Sequence, residues 1–253
     1  MIAAMCEQFV ARAAEPFRLD ELWPLAERME RYGIAGFGWG VTWLGADGEL
    51  HEHRDTRAFR DDPACEAIGS HETTSVLLHL RRPSRLSTLQ LPDTQPFVDP
   101  AGRFAFSHNG ELERWQGARA AYRDQDRIRG RADSEVGQRW LEDAWDEAPP
   151  VDLLTRLHDG FGGVANLAVI ERDGTPTHYA GNPENPVFTF RLGRIGLAST
   201  AIYSIDRSLF QFAAHGATNR RLARPSTTVV LDGDGVPHHA RAGEAMAEAG
   251  QTT

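Results

Sequence analysis

The sequence contains no lysine, since all 27 of its basic residues are arginine, against 36 aspartates and glutamates in 253 residues. Enzymes that form a Schiff base with a substrate or with pyridoxal phosphate depend on a lysine amine. Walker-type nucleotide binders and protein kinases also place a lysine on the phosphates. The absence of lysine therefore excludes these classes of enzyme.

Cysteine is scarce, and long apolar runs are absent. Two cysteines, Cys6 and Cys65, cannot build a disulfide framework, which favours a reducing compartment such as the cytoplasm. No apolar run could span a bilayer, and the first residues lack the pattern of a signal peptide. A net charge of -9 argues against a nucleic-acid partner. We expect one soluble domain over residues 1–253, with no nucleic-acid or membrane partner.

Signatures of cofactor and metal sites are lacking as well. The glycines of the run from Gly36 to Gly40 have the wrong spacing for a dinucleotide fingerprint. The pairs His51-Glu52-His53 and His238-His239 come without the spaced ligands of a zinc site. We interpret these histidines as solvated loop or strand-end residues, and expect that no metal or organic cofactor is needed.

What the sequence does contain is a cysteine, Cys6, directly after an internal methionine, Met5. In a chain that began at Cys6, the thiolate would be the nucleophile, and the α-amine, with a pKa of about 8, would be the base. A free cysteine is more often a small buried hydrophobic residue, so other residues must decide. As written, the amine of Cys6 is in a peptide bond. We expect residues 1–5 to be absent or removed, by translation from Met5 and loss of that methionine or by cleavage of a propeptide. The alternative is an inactive chain.

A second motif is His108-Asn109-Gly110, which follows the apolar run Phe104-Ala105-Phe106. The Asn109 side-chain amide and the Gly110 N–H could both donate to a developing oxyanion. Removing one such donor typically costs about 3 kcal/mol of transition-state stabilisation. Asn-Gly is also the commonest hairpin dipeptide, so in isolation it indicates only a turn.

Two further segments carry charged groups that suit an amino-acid substrate. The run from Ser75 to Arg81 predicts a buried strand that ends in an arginine, and its guanidinium could bind a carboxylate through two parallel hydrogen bonds. The alternative is a surface arginine in an ion pair. Asp133-Ser134-Glu135 precedes a helical pattern, and we predict that Asp133 or Ser134 caps that helix. A carboxylate there could also face an ammonium group.

In their order and spacing, these motifs resemble those of the class II glutamine amidotransferases, the cysteine branch of the N-terminal nucleophile hydrolases. The resemblance is strongest to the small stand-alone bacterial members and covers residues 5–231. The motifs that carry it are Met5-Cys6, Gly38-Trp39-Gly40-Val41-Thr42-Trp43, His79-Leu80-Arg81, Gln95-Pro96-Phe97, His108-Asn109-Gly110-Glu111-Leu112, Asp133-Ser134-Glu135 and Ala198-Ser199.

The resemblance implies a role for each candidate residue. It implies that Cys6 attacks the glutamine side-chain amide, and that Asn109 and Gly110 form the oxyanion hole. It implies that Arg81 binds the substrate α-carboxylate and that Asp133 receives the α-ammonium group. It also implies an α+β fold, a four-layer αββα sandwich of two stacked antiparallel sheets, as a single glutamine amidotransferase type 2 domain.

One segment departs from the family pattern. The chain has Asp93-Thr94-Gln95-Pro96-Phe97 where family members usually have Asn-x-His-Pro-Phe. We expect the wall of the site to be altered in polarity and charge, so that substrate preference is less securely implied than the chemistry. We include His108, the neighbour of the oxyanion pair, among the substrate-binding residues.

The implied function is a glutaminase-type amidohydrolase that cleaves a γ-glutamyl amide through a thioester and releases ammonia or an amine. Amidotransferases of this family normally pass ammonia to a synthase site, and 253 residues leave no room for a second catalytic domain. We therefore expect a separate synthase subunit as partner, or simple hydrolysis of a γ-glutamyl compound. The competing class is a non-catalytic binding or regulatory protein with the same fold and a blocked Cys6.

The apolar periodicity predicts the order of helices and strands. Helices are predicted from residue 20 to 33, after Asp133 up to Pro149-Pro150, and over 152–158. Strands are predicted over 34–44, 75–81, 164–171, 175–180, 187–191, 195–199 and 227–231. Tight turns at Asp173-Gly174 and Asp232-Gly233 favour antiparallel pairing. We interpret residues 119–131 as a solvated loop or helix face, and residues 240–253 as a flexible tail.

Overall fold

The computed structural model of the protein describes residues 6–33, 35–201 and 208–243. Within them the strands are β1 (Glu7–Arg18), β2 (Trp39–Leu44), β3 (Leu50–Asp55), β4 (Glu72–Leu80), β5 (Phe97–Val98), β6 (Phe104–Leu112), β7 (Gly163–Glu171), β8 (Pro176–Gly181), β9 (Val187–Leu192), β10 (Ile195–Thr200), β11 (Thr218–Leu222), β12 (Thr228–Leu231) and β13 (Pro237–Ala240). The helices are α1 (Trp23–Tyr32), α2 (Cys65–Gly69), α3 (Gln116–Asp124), α4 (Asp133–Ala144), α5 (Pro150–Phe161) and α6 (Ser208–Ala213). None of these helices is long and apolar enough to cross a membrane.

The strands form two antiparallel sheets. The first has the order β11-β9-β10-β1-β4-β2-β3, and the second has the order β13-β12-β8-β7-β6-β5. Strand β1 lies at the centre of the first sheet, paired with β4 on one side and β10 on the other. Cys6, the residue just before β1, therefore lies at the end of the central strand of that sheet.

Three apolar clusters separate four layers. Because side chains on a strand alternate between its two faces, Phe9 of β1 packs outward against α1, whereas Val10 packs inward against the second sheet. On the far side, Phe106 of β6 packs against Val136 of α4 and Leu157 of α5. Burial of each such side chain stabilises the fold by roughly 1.5–3 kcal/mol. These layers confirm the predicted fold class, an α+β sandwich of αββα type.

The predicted strand over 34–44 begins later than expected, at Trp39. Gly36 and Gly38 have φ values of +124° and +118°, which few other residues adopt. The amides of residues 36 and 37 both donate to the Arg81 carbonyl at 3.1 Å, so this segment is a loop laid against the end of β4. Residue 34 itself lies outside the described residues.

Three other boundaries differ from the prediction. Pro149-Pro150 does not close α4, which ends at Ala144; Pro150 instead opens α5, which continues to Phe161. Proline suits this place because the amides of a first turn have no intrahelical partner. Residues 119–131 are neither wholly loop nor wholly helix, because α3 covers 116–124. The predicted tail begins later, since Ala240 ends β13, and residues 244–253 lie outside the described part of the chain.

Candidate active site

Cys6 precedes β1 and is buried. The Arg82 amide donates to its sulfur at 3.2 Å, and the Arg82 carbonyl lies 3.5 Å from the same Sγ. Burial raises the pKa of the Cys6 thiol to about 11, although the Arg82 amide and the Arg81 charge act in the opposite direction. At neutral pH the sulfur therefore carries its proton, and a nucleophilic role requires a base beside it.

Arg81 follows β4 directly, and its side chain is buried rather than exposed. Its Nη2 donates to the Thr88 carbonyl, whereas its Nη1 is buried with no hydrogen-bond partner among the described residues. Its charge acts on Cys6, and burial lowers the pKa of the guanidinium. The alternative of a surface arginine in an ion pair is wrong. A buried guanidinium whose Nη1 is unused is suited to binding a carboxylate.

Asn109 and Gly110 lie inside β6, where Asn109 stands opposite Asn166 of β7. The alternative of a hairpin turn at this dipeptide is therefore wrong. The Asn109 side chain is fully buried, and neither its Oδ1 nor its Nδ2 has a partner within the described chain. A buried polar group without a partner costs about 1–3 kcal/mol, so this amide is suited to meet a ligand.

Gly110 occupies a backbone position that other residues could not share. Its φ is +132°, and a Cβ at this position would lie 2.0 Å from the Val164 carbonyl oxygen. The close approach of β7 therefore requires glycine here.

A layer of hydrogen-bonded polar side chains lies between the sheets beneath these residues. We call it the polar layer and define it as Gln8, His79, Ser107 and His178. Ser107 Oγ donates to Gln8 Oε1 at 2.7 Å and lies 2.7 Å from His79 Nδ1, and Gln8 Nε2 lies 3.3 Å from His178 Nε2. Burial lowers the pKa of both histidines to about 3, so they are neutral at physiological pH. No motif in the sequence indicates this layer.

Asp133 is the first residue of α4, but it does not cap the helix. The prediction that Asp133 or Ser134 is the cap is wrong, because Ala132 occupies the cap position without a side-chain bond. The Asp133 carboxylate accepts the Leu112 amide at 2.9 Å and the Ser134 amide at 3.0 Å. Its negative charge acts on the Cys6 thiol. The structure thus brings Arg81 and Asp133 within electrostatic range of Cys6.

The segment that departs from the family pattern has its polar groups bonded to protein. Asp93 is fully buried, and its Oδ1 accepts the amides of Arg131 and Ala132 at 2.6 and 2.8 Å. Gln95 accepts the His108 amide at 2.6 Å and donates to the His108 carbonyl at 3.1 Å. Asp93 therefore holds the loop before α4, and Gln95 holds β6.

His108 lies on the helix-facing side of β6, because neighbouring residues of a strand point to opposite faces and Asn109 faces the other sheet. Its Nε2 is buried without a partner among the described residues. Burial lowers the pKa of this imidazole, while the nearby Asp133 carboxylate acts in the opposite direction. The structure therefore places the His108 side chain on the face of β6 opposite to that of the Asn109 side chain.

Three asparagines that no sequence motif indicates form a hydrogen-bonded chain to the Cys6 backbone. Asn185 donates from Nδ2 to the Cys6 carbonyl at 3.4 Å, and its own carbonyl accepts Asn166 Nδ2 at 2.7 Å. Asn182 links the two, since its amide donates to Asn166 Oδ1 at 3.1 Å and its Oδ1 accepts the Asn185 amide at 3.3 Å. The segment Gly181-Asn182-Pro183-Glu184-Asn185-Pro186 carries only a turn signal in the sequence.

The second cysteine and the histidines of β3 lie elsewhere. Cys65 packs on the outer face of the first sheet, where burial raises the pKa of its thiol to about 12. His53, Asp55 and Asp62 hold their ligand atoms within 4.8 Å of one another, but Arg57 pairs with both carboxylates. The guanidinium makes this cluster an ion-pair network. The interpretation of His53 as a solvated residue is wrong, because it is half-buried and bonded to Asp62 at 2.7 Å.

No protein-family model and no curated protein matches this sequence. Solved structures do match its fold. The glutamine phosphoribosylpyrophosphate amidotransferase from B. subtilis, complexed with ADP and GMP, superposes with a TM-score of 0.72 at 15% identity over 93% of this chain and 49% of that one. A structure described as the allosteric regulatory enzyme of purine biosynthesis gives a TM-score of 0.72 at 14% identity, again over 93% and 49%. A glutamine aminotransferase class-II domain protein from Silicibacter pomeroyi gives 0.60 at 18% identity, over 93% of this chain and 99% of that one.

This chain spans about half the length of the first two proteins and nearly the whole of the third. At such low identity the likeness concerns the fold. The chain has the αββα fold of the N-terminal nucleophile hydrolases, as its resemblance to the class II glutamine amidotransferases implies.

Proposed function

We propose that the protein is a glutamine amidotransferase or glutaminase-type amidohydrolase that cleaves a γ-glutamyl amide with Cys6 as nucleophile. The observation that carries the proposal is the buried Arg81, whose Nη1 has no partner in the described chain and whose charge reaches Cys6. An anionic substrate group would satisfy this guanidinium and bring the substrate beside the thiol. The unpaired amide of Asn109 offers a second group that a substrate would satisfy.

The chemistry needs a free α-amine on Cys6. The thiol, with a pKa of about 11, does not ionise by itself near neutral pH. A terminal α-amine has an ordinary pKa of about 8 and can take the proton as the sulfur attacks the amide carbon. We therefore propose that the mature chain begins at Cys6.

The steps follow from these groups. Attack by Cys6 Sγ forms a tetrahedral oxyanion, which accepts hydrogen bonds from the Asn109 amide and the Gly110 N–H. The protonated α-amine returns its proton to the leaving nitrogen, and ammonia or an amine departs, leaving a γ-glutamyl thioester on Cys6. Water then attacks the thioester with the α-amine as base, so that glutamate and the free thiol are released.

Recognition of the amino-acid end falls to Arg81 and Asp133. Arg81 would pair with the α-carboxylate through its unused Nη1. Asp133 already accepts two backbone amides, yet a carboxylate has about four acceptor sites, so an α-ammonium group can be added. Ammonia released here would pass to a separate synthase subunit or to solvent.

The activity is tested by release of ammonia or amine from a substrate panel, with a chain that begins at Cys6. The panel is L-glutamine, a γ-glutamyl anilide, L-asparagine and D-glutamine. We expect turnover of the γ-glutamyl compounds in the L form. The rate with asparagine should be at least about tenfold lower, because its amide carbon is one methylene closer to the α-carboxylate that Arg81 would bind. Equal rates with asparagine, or no turnover of any γ-glutamyl compound, would contradict the proposal. The ratio of the glutamine rate to the anilide rate separates a glutaminase from a hydrolase of γ-glutamyl conjugates.

A further inference from the structure

A second concave site opens at the same end of the sandwich as Cys6. It lies where β11 ends, β12 begins and β13 ends, and its volume is about 480 Å³. Its polar lining is Arg221, Arg224, Thr227, His239 and Arg241. None of the mechanistic steps described above uses these residues.

The backbone connects this pocket to the Cys6 site through few residues. The Ala223 amide, between two pocket arginines in sequence, donates to the Val187 carbonyl at 2.8 Å. Val187 lies two positions after Asn185, whose side chain donates to the Cys6 carbonyl. On the other sheet, the Thr227 carbonyl accepts the Ala180 amide at 2.9 Å. The pocket and Cys6 therefore lie at the same end of the two sheets.

The described side chains that line this pocket include positively charged arginines. Among the described residues that line it, none is acidic. Arg221 and Arg224 are exposed and form no ion pair with any described residue. Partial burial, together with the Arg221 and Arg224 charges, lowers the pKa of His239. In a protein of net charge -9, such a concentration of positive charge attracts anions.

Another arginine-lined pocket differs, because its arginines are paired with carboxylates. Arg54, Arg129 and Arg139 line a smaller pocket of about 260 Å³ near Phe97. There each arginine has a carboxylate partner, and the buried Glu135 also lines the wall. The positive charge of that pocket is neutralised by the protein itself.

We propose that the pocket lined by Arg221, Arg224, His239 and Arg241 binds a small molecule that carries a phosphate or diphosphate group. Guanidinium groups match phosphate oxygens through paired hydrogen bonds, and the exposed guanidinium groups of Arg221 and Arg224 can compensate a dianion. The volume lies in the range of small-molecule sites, about 300–1,000 Å³. The net charge of the protein disfavours a nucleic acid, whose backbone would meet mostly negative surface.

Titration calorimetry of the full chain with inorganic pyrophosphate tests the proposal at low ionic strength, with citrate as the carboxylate comparison. We expect saturable binding of pyrophosphate, tighter than that of citrate. The double variant Arg221→Gln/Arg224→Gln should weaken pyrophosphate binding about tenfold or more, since charge-assisted hydrogen bonds are lost. The matched control is Arg156→Gln/Arg172→Gln, which removes the same charge from exposed arginines paired with Glu147 and Glu49 and should leave binding unchanged.

Thermal unfolding of each variant checks that it is folded, and the pair Arg221→Lys/Arg224→Lys provides a second test that keeps the charge. Because lysine lacks the planar fork, we expect this pair to bind with an intermediate affinity. Absence of pyrophosphate binding to the unmodified chain, equal weakening in the control pair, or tighter binding of citrate would overturn the proposal. Binding is measured without turnover, so the result does not depend on the proposed catalytic function.

Discussion

The Ser107 hydroxyl donates a hydrogen bond of 2.7 Å to Gln8 Oε1, and this bond joins the two sheets directly beneath the candidate active site. Side chains two residues apart on a strand share a face. Cys6 comes two residues before Gln8, and Asn109 comes two residues after Ser107. Both therefore lie on the inner faces of the sheets, towards the same end of the strands. The proposed nucleophile and the proposed oxyanion donor therefore lie next to the two residues that this buried bond joins.

Below this polar layer the space between the sheets is apolar. Val10 follows Gln8 on the inner face of β1, and Leu77 precedes His79 on β4. The apolar layer and the polar layer above it carry no charge. The charged groups of the candidate site, Arg81 and Asp133, therefore lie beyond both layers, at the ends of the strands. Such an environment strengthens the interaction of each donor with a developing charge, because water is excluded on one side.

The first prediction separates the two thiols. Cys6→Ala should abolish hydrolysis of glutamine or a γ-glutamyl amide without unfolding the chain, because the hydrogen bonds that the sulfur forms with described residues are those to the Arg82 backbone. Cys65→Ala is the matched control and should leave turnover nearly intact, since Cys65 packs on the outer face of the first sheet. Steady-state kinetics with thermal unfolding measure both. Loss of activity in the Cys65 variant alone would mean that Cys65, and not Cys6, is the nucleophile.

The second prediction concerns the guanidinium of Arg81. Arg81→Lys keeps the charge but loses the planar fork, so kcat/KM on glutamine should fall by about 10–100-fold. A substrate without the α-carboxylate, 4-aminobutanamide, should be turned over poorly and equally by both proteins. A rate on that amide that falls as steeply as the rate on glutamine would mean that Arg81 does not contact the carboxylate.

The same comparison applies to Asp133, with a glutamine analogue that lacks the α-amine. Asp133→Asn should reduce kcat/KM on glutamine to a similar extent and leave the rate on the analogue unchanged. The substitution also places an NH₂ group where one oxygen accepts the Leu112 or Ser134 amide, which should cost about 1 kcal/mol of stability. A large stability loss with normal kinetics would make Asp133 purely structural.

A third prediction contrasts two buried asparagines that face each other across β6 and β7. Asn109→Ala should lower kcat by about 10²–10³-fold, the usual effect of losing one oxyanion donor. Its melting temperature should stay close to that of the unmodified chain, because the amide has no partner to lose within the described structure.

Asn166→Ala is the contrasting variant. Asn166 donates to the Asn185 carbonyl and accepts the Asn182 amide, so its loss should cost about 1 kcal/mol per bond and lower the melting temperature by several degrees. Calorimetric unfolding and glutamine kinetics on the two variants measure this contrast. A strongly destabilised Asn109→Ala protein with normal kcat would remove Asn109 from the oxyanion hole.

Sequence patterns predicted much of the fold because apolar periodicity is local. The helix of residues 23–32 and the strand of residues 163–171 follow from the spacing of their own apolar side chains. Strand β1 was missed, since its second half, Ala-Ala-Glu-Pro-Phe-Arg, has little β-propensity. Its pairing with β4 and β10 determines its conformation instead, and pairing partners are not visible in a local pattern.

The candidate site shows the same division. Four candidate residues belong to short motifs, so that residue type and local sequence were enough to select them: Cys6, Arg81, Asn109 and Asp133. The helix cap was wrongly predicted because Asp93, far earlier in the chain, accepts the amides of Arg131 and of Ala132, which occupies the cap position. The polar layer could not be predicted at all, because it depends on which faces of four strands meet.

A fourth prediction uses the pH dependence of stability at the end of β7. Burial and the nearby Asp173 raise the pKa of Glu171 to about 7, from an ordinary value of 4.5. The folded state therefore holds the proton more tightly than the unfolded chain, and the contribution of Glu171 to stability is lost as pH rises through 7.

Glu171→Gln removes this dependence, because the amide is neutral at every pH. We expect its melting temperature relative to the unmodified chain to increase between pH 5 and pH 8. Glu15→Gln, at an exposed position of β1, is the matched control and should show no such trend. If the two variants shifted together across this pH range, the Glu171 carboxyl would not be the titrating group.

The amino group of Cys6 provides the most direct test of the account. Two forms of the chain are compared in a glutaminase assay with intact-mass analysis, one beginning at Cys6 and one that keeps residues 1–5. The account predicts turnover only in the form whose mass shows Cys6 as the first residue, because only a free α-amine can accept the thiol proton. Full activity in protein whose mass shows that Met1 is still present would contradict the terminal-nucleophile mechanism.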